Sequence, residues 1–379
     1  MKNIIIIGGG TGGCIVANLL AKKLDSDEAK ITVISASEQH HYQPGWLYVP
    51  FAREDARSLT RPVRDLLKKQ INLLIGKVKK LDDGNHQVIL ENGDTVSYDY
   101  LVIATGSIPC PEDIPGLSEG GNHFYTEKDS FELYQILQEF RGGKVVIGVG
   151  GLPYKCPVAP LEFTFLFEEF VNEKGIRDKT DITYTFPLNA VFNIPSVAEV
   201  AEPILQERNI NIETFFNLEE VNADEKKALS LEGTELDYDL LIMIPPHRGA
   251  PFLQGHDIAD AKGWVKTNKQ SLRAGDSKNI WALGDTTDIP ISKAGSTAHF
   301  EGPVIAKHII ADLRGEELGE DCVYEGHVMC FLETGYSKAS IIDFDYSAPP
   351  VLKAPNALMH YQKMAFNKAY WYLIPTATI

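Results

Sequence analysis

The chain has 379 residues, a formal net charge of −16 and a pI of about 5.1. That acidity argues against a nucleic-acid surface and against purely electrostatic docking on anionic lipid. Hydrophobic residues make up 44% and charged residues 23%, the balance of a globular chain rather than a disordered one, and the length implies two or three domains. Five irregularly spaced cysteines do not form a secreted disulfide framework. In a reducing compartment, a disulfide that persists is more often catalytic than structural. Met1-Lys2-Asn3 runs straight into Ile4–Ile7 and Gly8, too short for the apolar core of a signal peptide. No apolar stretch reaches the ~18–20 residues of a spanning helix. The expectation is a cytoplasmic protein, attached peripherally to a membrane by one face.

In chain order, Ile4–Ile7 is a continuous apolar run, as in a strand buried on both faces. A glycine loop follows, then a predicted helix over Cys14–Lys23 and a second strand over Lys30–Ser35, together a βαβ unit. Val78–Tyr98 alternates and turns at Asp82-Asp83-Gly84-Asn85 and Asn92-Gly93-Asp94, which predicts a β-meander. Tyr100–Ala104 returns to a buried strand. A second strand–glycine–helix unit begins at Lys144–Ile147, with a predicted helix from about Pro160 to Lys174 and a strand over Ile182–Phe186. Strands at Leu240–Ile244 and Ile280–Leu283 follow. This order implies an α/β fold of two Rossmann-like domains, the second inserted in the first, plus a small C-terminal segment. The expected boundaries are 1–109 with 250–319 for the first domain, 110–249 for the second and 320–379 for the C-terminal segment.

Gly8-x-Gly10-x-x-Gly13, with Thr11 and Gly12 between, follows a strand and opens a helix. In such a loop the first glycine makes the turn, the second lets backbone approach pyrophosphate and the third packs helix on strand. The acid that bonds a ribose about 20 residues on is missing, and Ser35, ending the second strand, is the candidate in its place. Ala104-Thr105-Gly106 and Gly284-Asp285 stand at strand ends. In this order they resemble the FAD-binding set of two-domain flavoproteins, in which the first closes over the dinucleotide and the Asp bonds the ribityl chain. Gly148-Val149-Gly150-Gly151-Leu152-Pro153 is a damaged copy, with Pro153 where a third glycine belongs, which disfavours nicotinamide binding. Cys156 follows this loop, beside Lys155 and just before a helix, an arrangement expected to lower a thiol pKa.

Several stretches carry a family resemblance: His41–Trp46, Tyr154-Lys155-Cys156-Pro157-Val158-Ala159-Pro160-Leu161-Glu162, Pro245–Gly249, Ser292–Ser296 and Cys330-Phe331-Leu332-Glu333-Thr334-Gly335. In this order, and across nearly the whole chain, they resemble the sulfide:quinone oxidoreductases. The resemblance implies FAD, with Cys156 and Cys330 facing the flavin as a redox pair and Glu162 as the acid beside them; no cysteine lies near Tyr42, so the FAD is expected to be noncovalent. Hydrosulfide would attack the oxidised pair, and electrons would pass to a membrane quinone. Lys293 precedes a helix whose N-terminus at Ala294-Gly295-Ser296 would point at the flavin, and Lys293 could reach a quinone carbonyl. The family's third cysteine is missing: that region reads His123-Phe124-Tyr125-Thr126, and Cys110 lies earlier between two prolines. His40, His41, His247 and His299 have no metal-ligand spacing, so capping or surface roles are expected and no metal. Phe366, Tyr370, Trp371 and Leu373, beside Lys363 and Lys368, suit a membrane-interface patch dispensable for sulfur chemistry. A homo-oligomer is compatible with the sequence. The alternatives are a type II NADH:quinone dehydrogenase, a flavocytochrome c sulfide dehydrogenase flavoprotein and a non-catalytic flavin redox sensor.

Overall fold

Strand Lys2–Ile7 pairs in parallel on both sides, with Ala29–Ser35 and with Tyr100–Ile103, which is why its apolar run is continuous rather than alternating. Asn72–Ile75 extends one edge of this five-stranded sheet. Ile280–Ala282, from much later in the chain, extends the other. That late return makes everything between the last two strands an insertion. The computed structural model describes residues 1–319 and 322–378. Glu320, where the C-terminal segment was expected to begin, lies outside them.

The inserted unit has its own parallel sheet, ordered Asn211–Thr214, Thr180–Phe186, Gly143–Val149, Leu240–Ile244. Each sheet carries a three-stranded antiparallel meander. The first spans Val78–Asp82, Gln87–Leu90 and Thr95–Ser97, as the alternation predicts. The second, Leu218–Asn222, Lys227–Ser230 and Glu235–Asp237, was not read from the sequence, although it repeats the same pattern of turns.

Two helices cover one face of the first sheet side by side: Thr11–Lys23 and Gly295–Arg314. A Cβ on Gly302 would meet Ile15 at 2.6 Å, so the pair is as close as a glycine allows. In the inserted unit, helix Ala159–Glu173 is buried along most of its length, Glu162, Thr164 and Glu168 included. Phe163 stacks on Phe124 at 4.6 Å and packs on Phe51 at 4.9 Å, joining the inserted unit to the loop after the second strand.

The C-terminal segment consists of a hairpin, Val328–Glu333 with Ala339–Phe344, and a helix, Ala357–Leu373. The helix corrects the expected interfacial patch. Tyr370 and Trp371 are buried at 5% and 9% exposure, packed edge-on to each other and against His40 and Tyr42. The exposed apolar residues are instead Leu358, Tyr361 and Tyr372, whose spacing puts them on one face. No helix among the described residues is long and apolar enough to cross a membrane.

Candidate active site: a dinucleotide cavity, two thiols and a buried ion pair

A cavity of about 860 Å³ runs along the carboxyl ends of the first sheet's strands and under the tail helix. This is where ligands of open parallel sheets bind. Of the residues expected to bind FAD, Gly8, Gly10, Thr11, Gly12, Ser35, Ala104, Thr105, Gly106, Gly284, Asp285, Lys293 and Ala294 line it. Gly13 does not: its Cα faces the Gly8 carbonyl, and a Cβ there would stand 1.9 Å from that oxygen. Gly8 has φ +121° and its Cβ would strike the Ala104 carbonyl, whereas a Cβ on Gly10 would meet nothing within 4 Å. The loop is thus shut against protein at Gly8 and Gly13 and open to the cavity at Gly10. Ser35 donates its hydroxyl to the Ser37 carbonyl at 2.7 Å.

Two helix N-termini, at Thr11 and Gly295, end at this cavity, a double source of positive potential for anionic groups. Burial pushes the Asp285 carboxyl upward, against the pull of Lys155 and Lys293. His299 Nδ1 lines the cavity without a hydrogen-bond partner among the described residues. An open glycine, two helix N-termini and an orphaned imidazole nitrogen along one elongated cavity fit FAD.

Lys293 turns its ammonium to the carbonyls of Asp285, at 3.1 Å, and Thr287, with Trp264 4.2 Å below it. Its backbone carbonyl accepts the Cys156 N–H at 2.7 Å. The Cys156 carbonyl accepts from the Tyr125 hydroxyl at 3.2 Å. Cys156 itself has φ +48°, unusual for a residue with a side chain and held by bonds on both sides. Cys330 lies on the C-terminal hairpin opposite Ile342. Both cysteines reach the same cavity wall, and each lies close to Glu162.

The electrostatics of the thiols differ from the expectation drawn from Lys155. Burial raises the Cys156 thiol, the Glu162 and Cys330 charges raise it further, and the cation that opposes them is Lys363. Cys330 is pushed up to about 12, chiefly by burial, with Ser296 pulling the other way. The helix after Cys156 starts only at Ala159, and Lys155 faces Asp285 as well as the thiol. Buried thiols in this setting hold their protons when reduced, so a base must take one before either can react.

That base is within reach. Glu162 is 2% exposed and accepts from the Lys363 ammonium at 2.5 Å and from the Glu333 N–H at 2.8 Å. Glu333, fully buried, lies 4.0 Å from the same ammonium and 3.1 Å from His360 Nδ1, and accepts from the Tyr48 hydroxyl at 3.3 Å. Burial raises the Glu333 carboxyl, partly offset by Lys363. Burial works against charge on Lys363, yet Glu162, Tyr48 and Glu333 outweigh it and hold the ammonium well above its ordinary range. Lys363 was read from the sequence as an interfacial lysine, and Glu333 only as part of a motif. Their pairing had no local signal, because the partners come from three separate elements.

Elsewhere the histidines depart from expectation: His40 is 2% and His247 1% exposed, rather than at caps or on the surface. Burial lowers His40 to about 4 and His247 to about 3, so both are neutral imidazoles. Phe124 and Tyr125 line the cavity. Cys110 is buried, outside the cavity lining, and bonded to the Ile108 carbonyl. Cys14 is a core residue of the first helix. The described residues contain no cluster fit for a metal ion.

The second glycine loop is built differently from the first. A Cβ on Gly150 would meet Met243 at 3.1 Å and Ile114 at 3.2 Å, and one on Gly151 would meet Pro246 at 3.0 Å. None of Gly148 to Pro153 lines the large cavity. The position equivalent to the open Gly10 is therefore packed against protein.

An inserted second Rossmann-like domain over a dinucleotide cavity, with two cysteines in its lining, defines a two-domain FAD-dependent oxidoreductase. Residues 2–302 match the family described as pyridine nucleotide-disulphide oxidoreductase, and the chain belongs to that family. It is similar to the mitochondrial sulfide:quinone oxidoreductase of Mus musculus, 26% identical over 93% of this chain and 80% of that protein. It is also similar to the type II NADH:quinone oxidoreductase of Staphylococcus aureus, 24% identical over 87% of each. The crystal structure of the Aquifex aeolicus sulfide:quinone oxidoreductase has the same fold, with a TM-score of 0.89 at 23% identity, covering 99% of this chain and 92% of that one.

Gly10→Val should leave the fold intact, since the added carbons enter open space, yet empty the site of flavin. Unchanged flavin absorbance in the purified variant would refute the cradle. Acid precipitation of the wild-type protein should release all flavin to the supernatant, because no cysteine stands beside Tyr42 in the sequence to form a covalent link. Yellow colour kept in the pellet would contradict this.

Proposed function

We propose that the protein is a sulfide:quinone oxidoreductase in which Cys156 and Cys330 form the sulfur-handling redox pair. The observation that carries this reading is the convergence of both thiols, Glu162 and Lys363 on one wall of the dinucleotide cavity. Hydrosulfide attacks the sulfur bridge joining the cysteines; one S–S bond breaks, a new one forms, and one cysteine leaves as thiolate while the other becomes a persulfide. When thiolate and persulfide close into a sulfur-bridged pair, one proton and two electrons are lost. Glu162 takes the proton, and Lys363, held by Glu162 and Glu333, stabilises the negative charge left behind. FAD supplies the two-electron acceptor that links this chemistry to quinone.

The same chain could in principle receive electrons from NADH, as the relative from Staphylococcus aureus does by its name. The packed glycine loop and the two cavity thiols favour sulfide. Anaerobic titration of the flavin absorbance with sulfide and then with NADH separates the two: bleaching by NADH alone refutes the proposal. A redox sensor without turnover is excluded if quinone is reduced over many cycles.

We also place the acceptor side under the tail helix. Phe366 and Ile374 line the cavity there, while Leu358, Tyr361 and Tyr372 are 62%, 68% and 70% exposed on the outer face. An apolar outer face next to a cavity suits a membrane surface delivering a hydrophobic quinone.

Cys156→Ser and Cys330→Ser should each abolish flavin reduction by sulfide with flavin still bound, since a hydroxyl forms neither disulfide nor persulfide. Cys110→Ser should keep activity, being outside the cavity. The pairing fails if Cys110→Ser is inactive while Cys330→Ser turns over. Replacing Leu358, Tyr361 and Tyr372 together by serine should shift the protein from liposomes to the soluble fraction while sulfide still reduces the flavin. Undiminished liposome binding by this triple variant would exclude the outer face as the contact.

A further inference from the structure

We propose that Tyr370 is a positioning residue of the dinucleotide site, so that retention of FAD and docking of the tail are one coupled equilibrium. This rests on the reading of the cavity as the FAD site, and is independent of which substrate supplies electrons.

The coupling is drawn by a hydrogen-bonded chain with a fixed direction. His40 Nδ1 lies 2.9 Å from the Gly9 carbonyl, which can only accept, so a neutral His40 carries its proton on Nδ1. His40 Nε2 then accepts the Tyr370 hydroxyl at 2.7 Å. The Tyr370 oxygen in turn accepts the Thr11 hydroxyl at 2.7 Å. The tail helix is thus joined to the glycine loop through His40, on strand Gln39–His41, and directly to the helix start at Thr11. The consequence for the loop is geometric. With the Gly9 carbonyl held toward His40, the trans peptide directs the Gly10 N–H the opposite way, and Gly10 is the loop position that stands open to the cavity. Thr11, its own hydroxyl turned to Tyr370, is fixed at the helix start.

The tail runs on along the same helix. Asn18 donates to the Pro375 carbonyl at 2.8 Å and Lys22 donates to the Ala377 carbonyl. Thr11, Asn18 and Lys22 are seven and four residues apart, one face of the dinucleotide helix from its first turn to its last. Tyr370 is further held against Tyr42, at 4.4 Å between ring centroids, and the Tyr42 hydroxyl bonds Asn367 at 2.5 Å. A segment bonded to one face of this helix and to the loop that opens it must gain from anything that orders the loop. By linkage, the loop's ligand gains from the segment equally.

The test begins with the flavin-loaded protein, diluted while the rise of free-flavin fluorescence is followed. Tyr370→Phe keeps the ring but leaves His40 Nε2 without its donor, and should release FAD roughly tenfold faster. Tyr372→Phe, exposed on the same helix, should release it at the wild-type rate. A reciprocal measurement needs no variant: proteolytic cleavage within residues 357–378 of the wild-type protein should slow as free FAD is added. Unaltered release from Tyr370→Phe, equal acceleration by Tyr372→Phe, or tail cleavage independent of FAD each overturns the coupling. Gly10→Val distinguishes this from the cradle itself. Flavin lost there with Tyr370→Phe release unchanged sinks the coupling alone, and flavin kept in Gly10→Val sinks both.

Discussion

Lys363 carries an ammonium into a region where an unpaired charge would cost several kcal/mol. It can do so because Glu162 meets it at 2.5 Å and Glu333 stands 4.0 Å away. The three groups come from the helix after Cys156, the hairpin bearing Cys330 and the tail helix. Satisfying one buried charge therefore brings together the parts of the chain that the site requires. Were any of the three elements displaced, the remaining charges would stay buried without compensation, which makes the arrangement strongly cooperative. Two carboxylates share one cation here, and burial raises the Glu333 carboxyl. The cluster is thus suited to holding and passing a proton next to the thiols.

The two glycine loops show how one fold supports two outcomes. Both stand at the end of a central parallel strand, and a Cβ on either first glycine would strike a backbone carbonyl, Ala104 at Gly8 and Thr185 at Gly148, although Gly148 still lies within its strand. They part most clearly at the second glycine. Gly10 faces open cavity, whereas Gly150 is covered by Met243 and Ile114. A methylene of Met243 from the neighbouring strand and a methyl of Ile114 from a preceding turn occupy the space that lies open at Gly10. The inserted domain contributes its helix and Cys156 to the other domain's cavity.

The tail helix has two working faces. Its inner face holds Lys363, Asn367 and Tyr370 against the cavity and the dinucleotide helix, and its outer face exposes Leu358, Tyr361 and Tyr372. A segment that looks like a peripheral attachment is part of the wall of the site. Composition alone could not separate the faces, since aromatics and lysines occur on both.

Local pattern was enough for the α/β class, the inserted second domain, the first meander and the dinucleotide loop, because strand periodicity and glycine spacing are set by backbone geometry over a few residues. The motifs around Cys156 and Cys330 single them out in the sequence, and both line the cavity. What depended on the tertiary structure was every relation between distant residues. Lys363 rather than Lys155 is the cation that opposes the thiols' burial, His40 is a buried imidazole bonded to Tyr370, and Tyr370 faces inward to Thr11 rather than outward. These follow from which helix packs where. Burial and Coulomb interactions depend on distance through space, and separation along the chain carries almost no information about that distance once the chain is folded.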